Sequence, residues 1–174
     1  QVFLARGRLA PERDAAKWLE RRVANVERER VAMVELRAID GERLSAAKPG
    51  PGDADVELAG VPDDQKVKSS FDVNLLASAL EGLDLEDARK AEGLDFDAAK
   101  ERAEYRTFDG LVVRIDIVQD RDLRWARVSA SFEALAAPVD PAAHPNARLR
   151  SVEDAAKQAE EIAARARGWA FRFP

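Results

Sequence analysis

The stretch 104–132 constrains the fold of this chain more than any other part of the sequence. It predicts a short strand over 105–108, a two-residue Asp109-Gly110 turn and a second strand over 111–118. An Asp-Gly pair between apolar, β-branched runs is a strong hairpin signal, because the central turn positions need a positive φ that Gly and Asp tolerate. After a charged turn at 119–122 the chain returns through another apolar segment. The sequence therefore predicts a three-stranded antiparallel meander.

A second Asp-Gly pair, Asp40-Gly41, follows an alternating segment over 31–39. The alternation of apolar and polar residues is typical of a half-buried antiparallel strand. Further short strands are predicted over 43–46 after this turn and over 56–58 after a turn rich in Pro and Gly. A helix followed by an Asp-Gly hairpin thus occurs twice, which leaves open a weak internal repeat or two independent hairpins.

Apolar residues at helical spacing predict three helices, over 11–25, over 64–81 and over 151–167. The first would pack through Trp18, and the third would begin at a Ser151 N-cap and end before Gly168. The predicted buried stripe of the second helix is Val67, Phe71, Leu75, Leu76, Ala79 and Leu80. The segments with weaker signals are predicted as strands over 1–5 and 87–91, a helical turn near 97–102, a proline-rich loop over 136–145 and a terminal strand over 169–173.

These elements indicate an α+β fold with a mainly antiparallel sheet, Asp-Gly hairpins and about three helices on one face. The 174 residues suffice for a single domain spanning 1–174 with a real hydrophobic core. Because the chain opens with Gln1 rather than Met and has no signal-peptide pattern, we interpret it as an excised fragment of a longer protein.

Charge and composition bear on the partner. The formal net charge of -5 and the interspersed signs disfavour a phosphate-backbone partner such as nucleic acid. The absence of cysteine excludes disulfides, thiolate metal sites and cysteine nucleophiles. No apolar run approaches the ~20 residues of a membrane-spanning helix.

Candidate chemistry is sparse. His144 is the only histidine and lies in the proline-rich loop, where a surface or structural role is favoured over a metal or triad role. Asp40 and Asp109 are explained by their turns, and Trp18, Trp125 and Trp169 fit core positions better than a ligand cleft. No phosphate loop, G-x-S-x-G or H-E-x-x-H motif occurs. We therefore predict no catalytic residue, no metal site and no cofactor.

One acidic region could still carry chemistry, because paired carboxylates serve glycoside hydrolysis and cation binding. Its members are Asp84, Glu86, Asp87, Glu92, Asp95 and Asp97. They are interleaved with Arg89, Lys90 and Lys100, and they lack the spacing of a calcium loop. A solvated charged face is the favoured interpretation.

Four features together resemble the DUF4340 family, a set of bacterial domains of unassigned biochemical function. They are the 18–22 helix with the hairpin after it, the Phe108-Asp109-Gly110-Leu111 turn, the following Trp125 and the closing Gly168-Trp169-Ala170-Phe171. The resemblance implies a membrane-anchored, extracytoplasmic protein, often encoded beside ABC-type transport or gliding-motility-like components. It implies no established catalytic residue.

The resulting expectation is a non-catalytic accessory or interaction domain that binds another protein of a membrane transport assembly, located in the periplasm. The alternative is an envelope polysaccharide-binding, peptide-binding or hydrolytic domain that uses the acidic segment 84–97. The terminal aromatic residues Trp169, Phe171 and Phe173 are predicted to share one face of a strand and to pack into the core.

Overall fold

The computed structural model describes residues 20–61 and 69–174. The strands are β1 (Arg22–Ala24), β2 (Val31–Arg37), β3 (Arg43–Ala47), β4 (Glu57–Leu58), β5 (Leu83–Asp84), β6 (Asp87–Lys90), β7 (Glu101–Thr107), β8 (Leu111–Asp120), β9 (Leu123–Phe132) and β10 (Trp169–Arg172). The helices are α1 (Ser70–Ser78) and α2 (Val152–Ala166), with short 3-10 turns at Arg28–Arg30, Pro141–Ala143 and Pro145–Ala147.

Eight strands form one antiparallel sheet in the order β4-β3-β2-β7-β8-β9-β10-β6, and β1 pairs with β5 in a small second sheet. The α+β class and the mainly antiparallel sheet agree with the prediction from sequence. The long central hairpins β7–β8 and β8–β9 supply the middle of the sheet, so the predicted meander is the part around which the other strands assemble.

β7 is longer than predicted, because it begins at Glu101 rather than at Tyr105. The helical turn predicted near 97–102 is correspondingly wrong at its end, since 101–102 belong to this strand; a turn occupies only 97–98. Charged residues alternate along the start of β7. They contact charged side chains of neighbouring strands rather than apolar core residues. A hydrophobic pattern alone does not reveal such a strand.

Both Asp-Gly hairpins have three-residue loops instead of the predicted two-residue turn. Arg37 pairs with Arg43 and Ala38 N–H donates to the Glu42 carbonyl, which leaves Ile39–Gly41 as the loop. In the second hairpin Phe108–Gly110 connects β7 to β8. Gly41 and Gly110 have φ values of 92° and 89°, while neither Asp has a positive φ. A turn closed by a left-handed Gly is the usual form of a three-residue hairpin loop.

Helix α2 agrees with its prediction. The Ser151 hydroxyl caps it by accepting a hydrogen bond from Asp154 N–H at 3.1 Å, and Gly168 follows its end with φ 77°. Small side chains on its buried side, Ala155, Ala159 and Ala166 around Ile162, let the helix lie against β9 and β8. The proline-rich loop that precedes it contains the two later 3-10 turns.

Helix α1 differs from its prediction in both start and orientation. It begins after a Ser69 N-cap, and residues 64–68 of the predicted helix lie outside the described residues. Leu80 is buried and Leu76 packs against the core as predicted. However, Val73 and Ala77 also face the core, whereas Phe71 is 69% and Leu75 50% exposed. Apolar residues surround most of this helix, so their spacing does not select one buried side.

The first predicted helix, over 11–25, is wrong where it can be compared. Residues 22–24 form β1, which pairs with β5 and places Val23 and Ala24 in the core. The remainder of that prediction, including Trp18, lies outside the described residues, as does the strand predicted over 1–5.

The main core lies between one face of the sheet and both described helices. It combines Val34 from β2, Val113 from β8 and Val128 from β9 with residues of α1 and α2. On the opposite face a second, small cluster of Phe96, Trp125 and Ala170 packs under the segment 91–99. Among the described residues, neither helix has the length and apolar character that a bilayer-spanning segment needs.

Candidate functional site

The acidic residues of 84–97 are dispersed over β5, β6 and the following turns, and most contact an arginine. Asp84 pairs with Arg22 of β1, and Glu86 accepts from Arg172 of β10 at 2.9 Å. Asp97 lies 3.3 Å from Arg127. Hydrogen bonding to Arg22 holds the pKa of Asp84 below its usual value. Within 20–61 and 69–174, no group of three or more His, Cys, Asp or Glu side chains is arranged to hold a metal ion.

His144 connects two 3-10 turns through its backbone. Its N–H donates to the Pro141 carbonyl at 3.2 Å, and its carbonyl accepts from Ala147 N–H at 3.0 Å. Both bonds are made by the backbone, so they hold the turns of this loop together whatever the side chain does.

The tryptophans occupy different environments. Trp125 is buried in the small cluster on the sheet face opposite the helices, with the Arg89 guanidinium 5.1 Å from its ring centroid. Trp169 is 37% exposed, and the Lys90 ammonium lies 4.1 Å from its ring centroid. Phe171 is buried as predicted and Phe173 packs against the main core, but the core position predicted for Trp169 is wrong, because its ring lies at the surface beside the Lys90 ammonium.

Asp109 has a role beyond its turn. Its carboxylate accepts two hydrogen bonds from the fully buried Arg30, from Nε at 2.7 Å and from Nη2 at 3.1 Å. Thr107 Oγ1 donates to it at 2.5 Å and Arg150 N–H at 2.9 Å. Burial alone would raise the pKa of Asp109, but the bonds and charge of Arg30 hold it below the usual value.

The remaining polar region is the part of the sheet face opposite the helices that the segment 91–99 leaves uncovered, which we call the open face. Three arginines from neighbouring strands stand directly opposite one another there: Arg43 of β3 pairs with Arg37 of β2, which pairs with Arg102 of β7. We call these three the arginine row. Asp116 of β8 and Arg127 of β9 continue the same line across the sheet.

The arginines at the two ends of this line differ in their contacts with carboxylates. Asp116, whose side chain is 3% exposed, accepts from Arg102 Nε at 2.5 Å and from Arg127 Nη2 at 3.1 Å. Arg37 instead donates to the backbone carbonyls of Lys100 and Ala99. Across the described ranges Arg43 makes neither a salt bridge nor a side-chain hydrogen bond, and it is exposed.

A second charged line runs beside the arginine row. Glu104 of β7 binds Arg106 at 2.7 Å and Arg114 at 2.6 Å. Burial would raise the pKa of Glu104, but the hydrogen bonds from Arg114 and Arg106 lower it below the usual value. These pairs hold long side chains in fixed positions on the open face, so its charges form an ordered pattern.

A shallow groove of about 280 Å³ lies over the arginine row. Its polar lining consists of Glu35, Arg37, Arg43, Ser45, Arg102 and Glu104. The sequence does not reveal this groove, because its residues come from three strands and are adjacent only through the observed register. The only available signal is the alternation of charged residues in β2 and β7.

No family model matches the chain, and neither a curated protein nor a solved structure matches it. The resemblance to the DUF4340 family stays a prediction.

Proposed function

We propose that this chain is a non-catalytic interaction domain that binds another protein through the open face. The observation that carries the proposal is the arginine row with its neighbouring ion pairs, a fixed pattern of charges on a sheet face that both described helices leave uncovered. Ordered charge patterns of this kind give specificity and orientation in protein association.

The resemblance stated above supports the cellular setting. We propose that the whole protein is membrane-anchored and extracytoplasmic, and that its partner belongs to an ABC-type transport assembly. An antiparallel sheet supplies a rigid platform for such a contact, because the strands β2, β7, β8 and β9 at its centre are each bonded on both sides.

The acidic segment offers less support for the alternative, an envelope polymer-binding or hydrolytic domain. A retaining or inverting glycosidase needs two carboxyl groups facing one substrate about 5–10 Å apart. Here Asp84, Glu86 and Asp97 each contact an arginine from a different strand. Carboxylates engaged in this way favour a solvated, charge-paired surface.

Site-specific photo-crosslinking in the native cells tests the proposal. A photoreactive residue replaces Ser129, an exposed position of β9 opposite Arg114 on the open face. The matched control position is Glu161, which is exposed on α2. We expect a component of a transport assembly to be captured from position 129 and not from position 161.

Two results would count against the proposal. The first is the repeated absence of any captured protein at position 129 when crosslinking is efficient. The second is capture of the same proteins with equal yield from both positions, since this would indicate diffuse contact rather than an open-face interface.

A further inference from the structure

We propose that the arginine row binds a short acidic segment of the partner protein, whose carboxylates contact the guanidinium groups of Arg43 and Arg102. This inference rests on the proposed function and specifies the chemistry of the partner. It derives from the register of three strands and from the groove above them.

The arginine row is unfavourable for the isolated domain. Like charges directly opposite each other in neighbouring strands destabilise a sheet, yet Arg43, Arg37 and Arg102 are paired in this way. Asp116 compensates Arg102 from one side. Among the residues that the structure describes, no carboxylate compensates Arg43 or Arg37, so positive charge remains at the end of the line nearest β3.

The dimensions of the row suit an extended peptide. Neighbouring strands lie about 4.8 Å apart, so the three guanidinium stems span about 10 Å across the sheet. In an extended segment, side chains on one side repeat every ~6.6–6.8 Å, and two alternating Glu or Asp residues therefore reach the row. Arginine binds carboxylates through two parallel N–H···O bonds, which adds geometric specificity.

Charge around the groove favours a short acidic segment over a long polyanion. Glu35 lines the same groove and repels a densely charged strand such as nucleic acid, while the charge of Glu104 is compensated by Arg106 and Arg114. The net charge of -5 repels a long polyanion before contact. A peptide with a few carboxylates can place them on the arginines and its neutral residues beside the two glutamates.

Fluorescence anisotropy provides the direct test. The probe is a fluorescein-labelled octapeptide of alternating Glu and Thr, titrated with the whole chain at low ionic strength. We expect Arg43→Gln to weaken binding about fivefold, because exposed Arg–carboxylate pairs contribute up to ~1 kcal/mol. Arg43→Glu should weaken it further. Arg167→Gln removes the same charge at an exposed position after α2 and is the matched control; we expect less than a twofold effect.

Several outcomes would overturn the inference. Equal binding by wild type and Arg43→Gln excludes a role for the row, and an equal loss in Arg167→Gln indicates unspecific charge attraction. Binding of the Gln-for-Glu peptide with unchanged affinity excludes carboxylate recognition. Tighter, Arg43-dependent binding of a sulfated oligosaccharide or a single-stranded oligonucleotide identifies another class of ligand.

A combined variant separates this inference from the proposed function. Arg43→Gln is introduced into the protein with the photoreactive residue at position 129. If the transport component is still captured with full yield, the acidic-segment inference fails while the open-face interface stands. If wild type captures nothing from position 129, the proposed function fails whatever the peptide titration gives. A thermal unfolding midpoint of Arg43→Gln at or above that of wild type verifies that the variant is folded, because the substitution removes a like charge opposite Arg37.

Discussion

The loops Ile39–Gly41 and Phe108–Gly110 have the same length, the same Asp-Gly pair and the same left-handed Gly, but opposite surroundings. Asp40 lies in solvent and accepts one backbone bond, from Glu42 N–H at 3.0 Å. Asp109 is 7% exposed and binds Arg30. The same turn sequence therefore forms a solvent-exposed loop at one end of the sheet and a buried, hydrogen-bonded loop at the other. We call the buried loop, 108–110, the anchored loop and Asp109 its anchor carboxylate.

Partners outside the loop produce the difference. Arg30 extends the Asp109 interaction to Gln158 of α2 at 2.8 Å and to Glu27 at 3.0 Å. Gln158 in turn donates to the Asn25 carbonyl at 2.9 Å. A buried charge pair needs such additional hydrogen bonds to offset desolvation. The second loop thus joins the segment 25–30, the central hairpin and helix α2.

The largest effect should come from removing the anchor carboxylate. Asp109→Ala leaves Arg30 buried without its main counter-charge, and we expect the free energy of unfolding to fall by about 3–5 kcal/mol. Asp40→Ala is the matched control and should cost less than ~1 kcal/mol. Urea unfolding of both variants provides the measurement. Equal losses would show that the two loops do not differ energetically.

The two loop glycines give the next contrast. An added Cβ at Gly110 would lie 2.6 Å from the Glu133 carbonyl oxygen and 2.8 Å from a Phe132 ring carbon, whereas at Gly41 nothing lies within 4 Å. Both substitutions by Ala cost about 1–2 kcal/mol for the left-handed backbone. Gly110→Ala should cost a further ~1–3 kcal/mol for overpacking. Thermal unfolding of Gly41→Ala and Gly110→Ala separates the two contributions, and coincident melting curves would contradict the steric argument.

The residue that precedes each loop should give a smaller difference. Thr107 Oγ1 accepts from Leu111 N–H at 2.9 Å and donates to Asp109, while Ala38 has the corresponding position in the other hairpin. Thr107→Ala leaves a buried N–H without its hydroxyl partner, so a loss of about 1–3 kcal/mol is expected. Ala38→Thr should change stability by no more than ~0.5 kcal/mol. A Thr107→Ala variant as stable as wild type in urea would argue against the hydroxyl network.

Acid should weaken the anchored loop selectively. The folded-state pKa of Asp109 lies below its ordinary value of 3.8, so its contribution is fully present above the unfolded-state pKa and is lost as pH falls through the folded-state pKa. The stability difference between wild type and Asp109→Asn should therefore shrink as pH decreases below about 4. Unfolding measured from pH 6 to pH 2 tests this, with Asp40→Asn as the control. A difference that is constant over this range would contradict the assignment.

The hairpins and α2 can be predicted from sequence because their signals are local. Each of these signals involves only a few consecutive residues: the Asp-Gly pairs, the β-branched runs, the Ser151 cap and Gly168. The length of the loops is harder to predict, because Ile39 and Phe108 are apolar and fit the strand pattern. Only the cross-strand register shows that they belong to the loops. The buried side of helix α1 is also hard to predict, because its apolar residues lie on several sides. Only the packing of the helix in the fold determines that Val73 is buried and Phe71 is exposed.

The candidate site could not be predicted for a different reason. Arg30 and Asp109 are 79 residues apart, and the arginine row forms only when β2 lies between β3 and β7. Charged residues at alternating positions are typical of a solvated strand. Only strand order shows that three of them fall on one line and that Asp116 is buried beside them.

The order of the strands also has a consequence for synthesis on the ribosome. β10 lies between β9 and β6, so residues 87–90 join the large sheet only through residues 169–172. The nascent chain can form the β7–β8–β9 meander early, because domains begin to fold while they are being made. β6 must wait for β10, which is made some eighty residues later. From the synthesis of β9 until that of β10, β9 presents an unpaired edge, and unpaired edges invite association with other chains. A slow step in translation between β9 and β10 would therefore lengthen the period in which the growing chain is most exposed to misassembly.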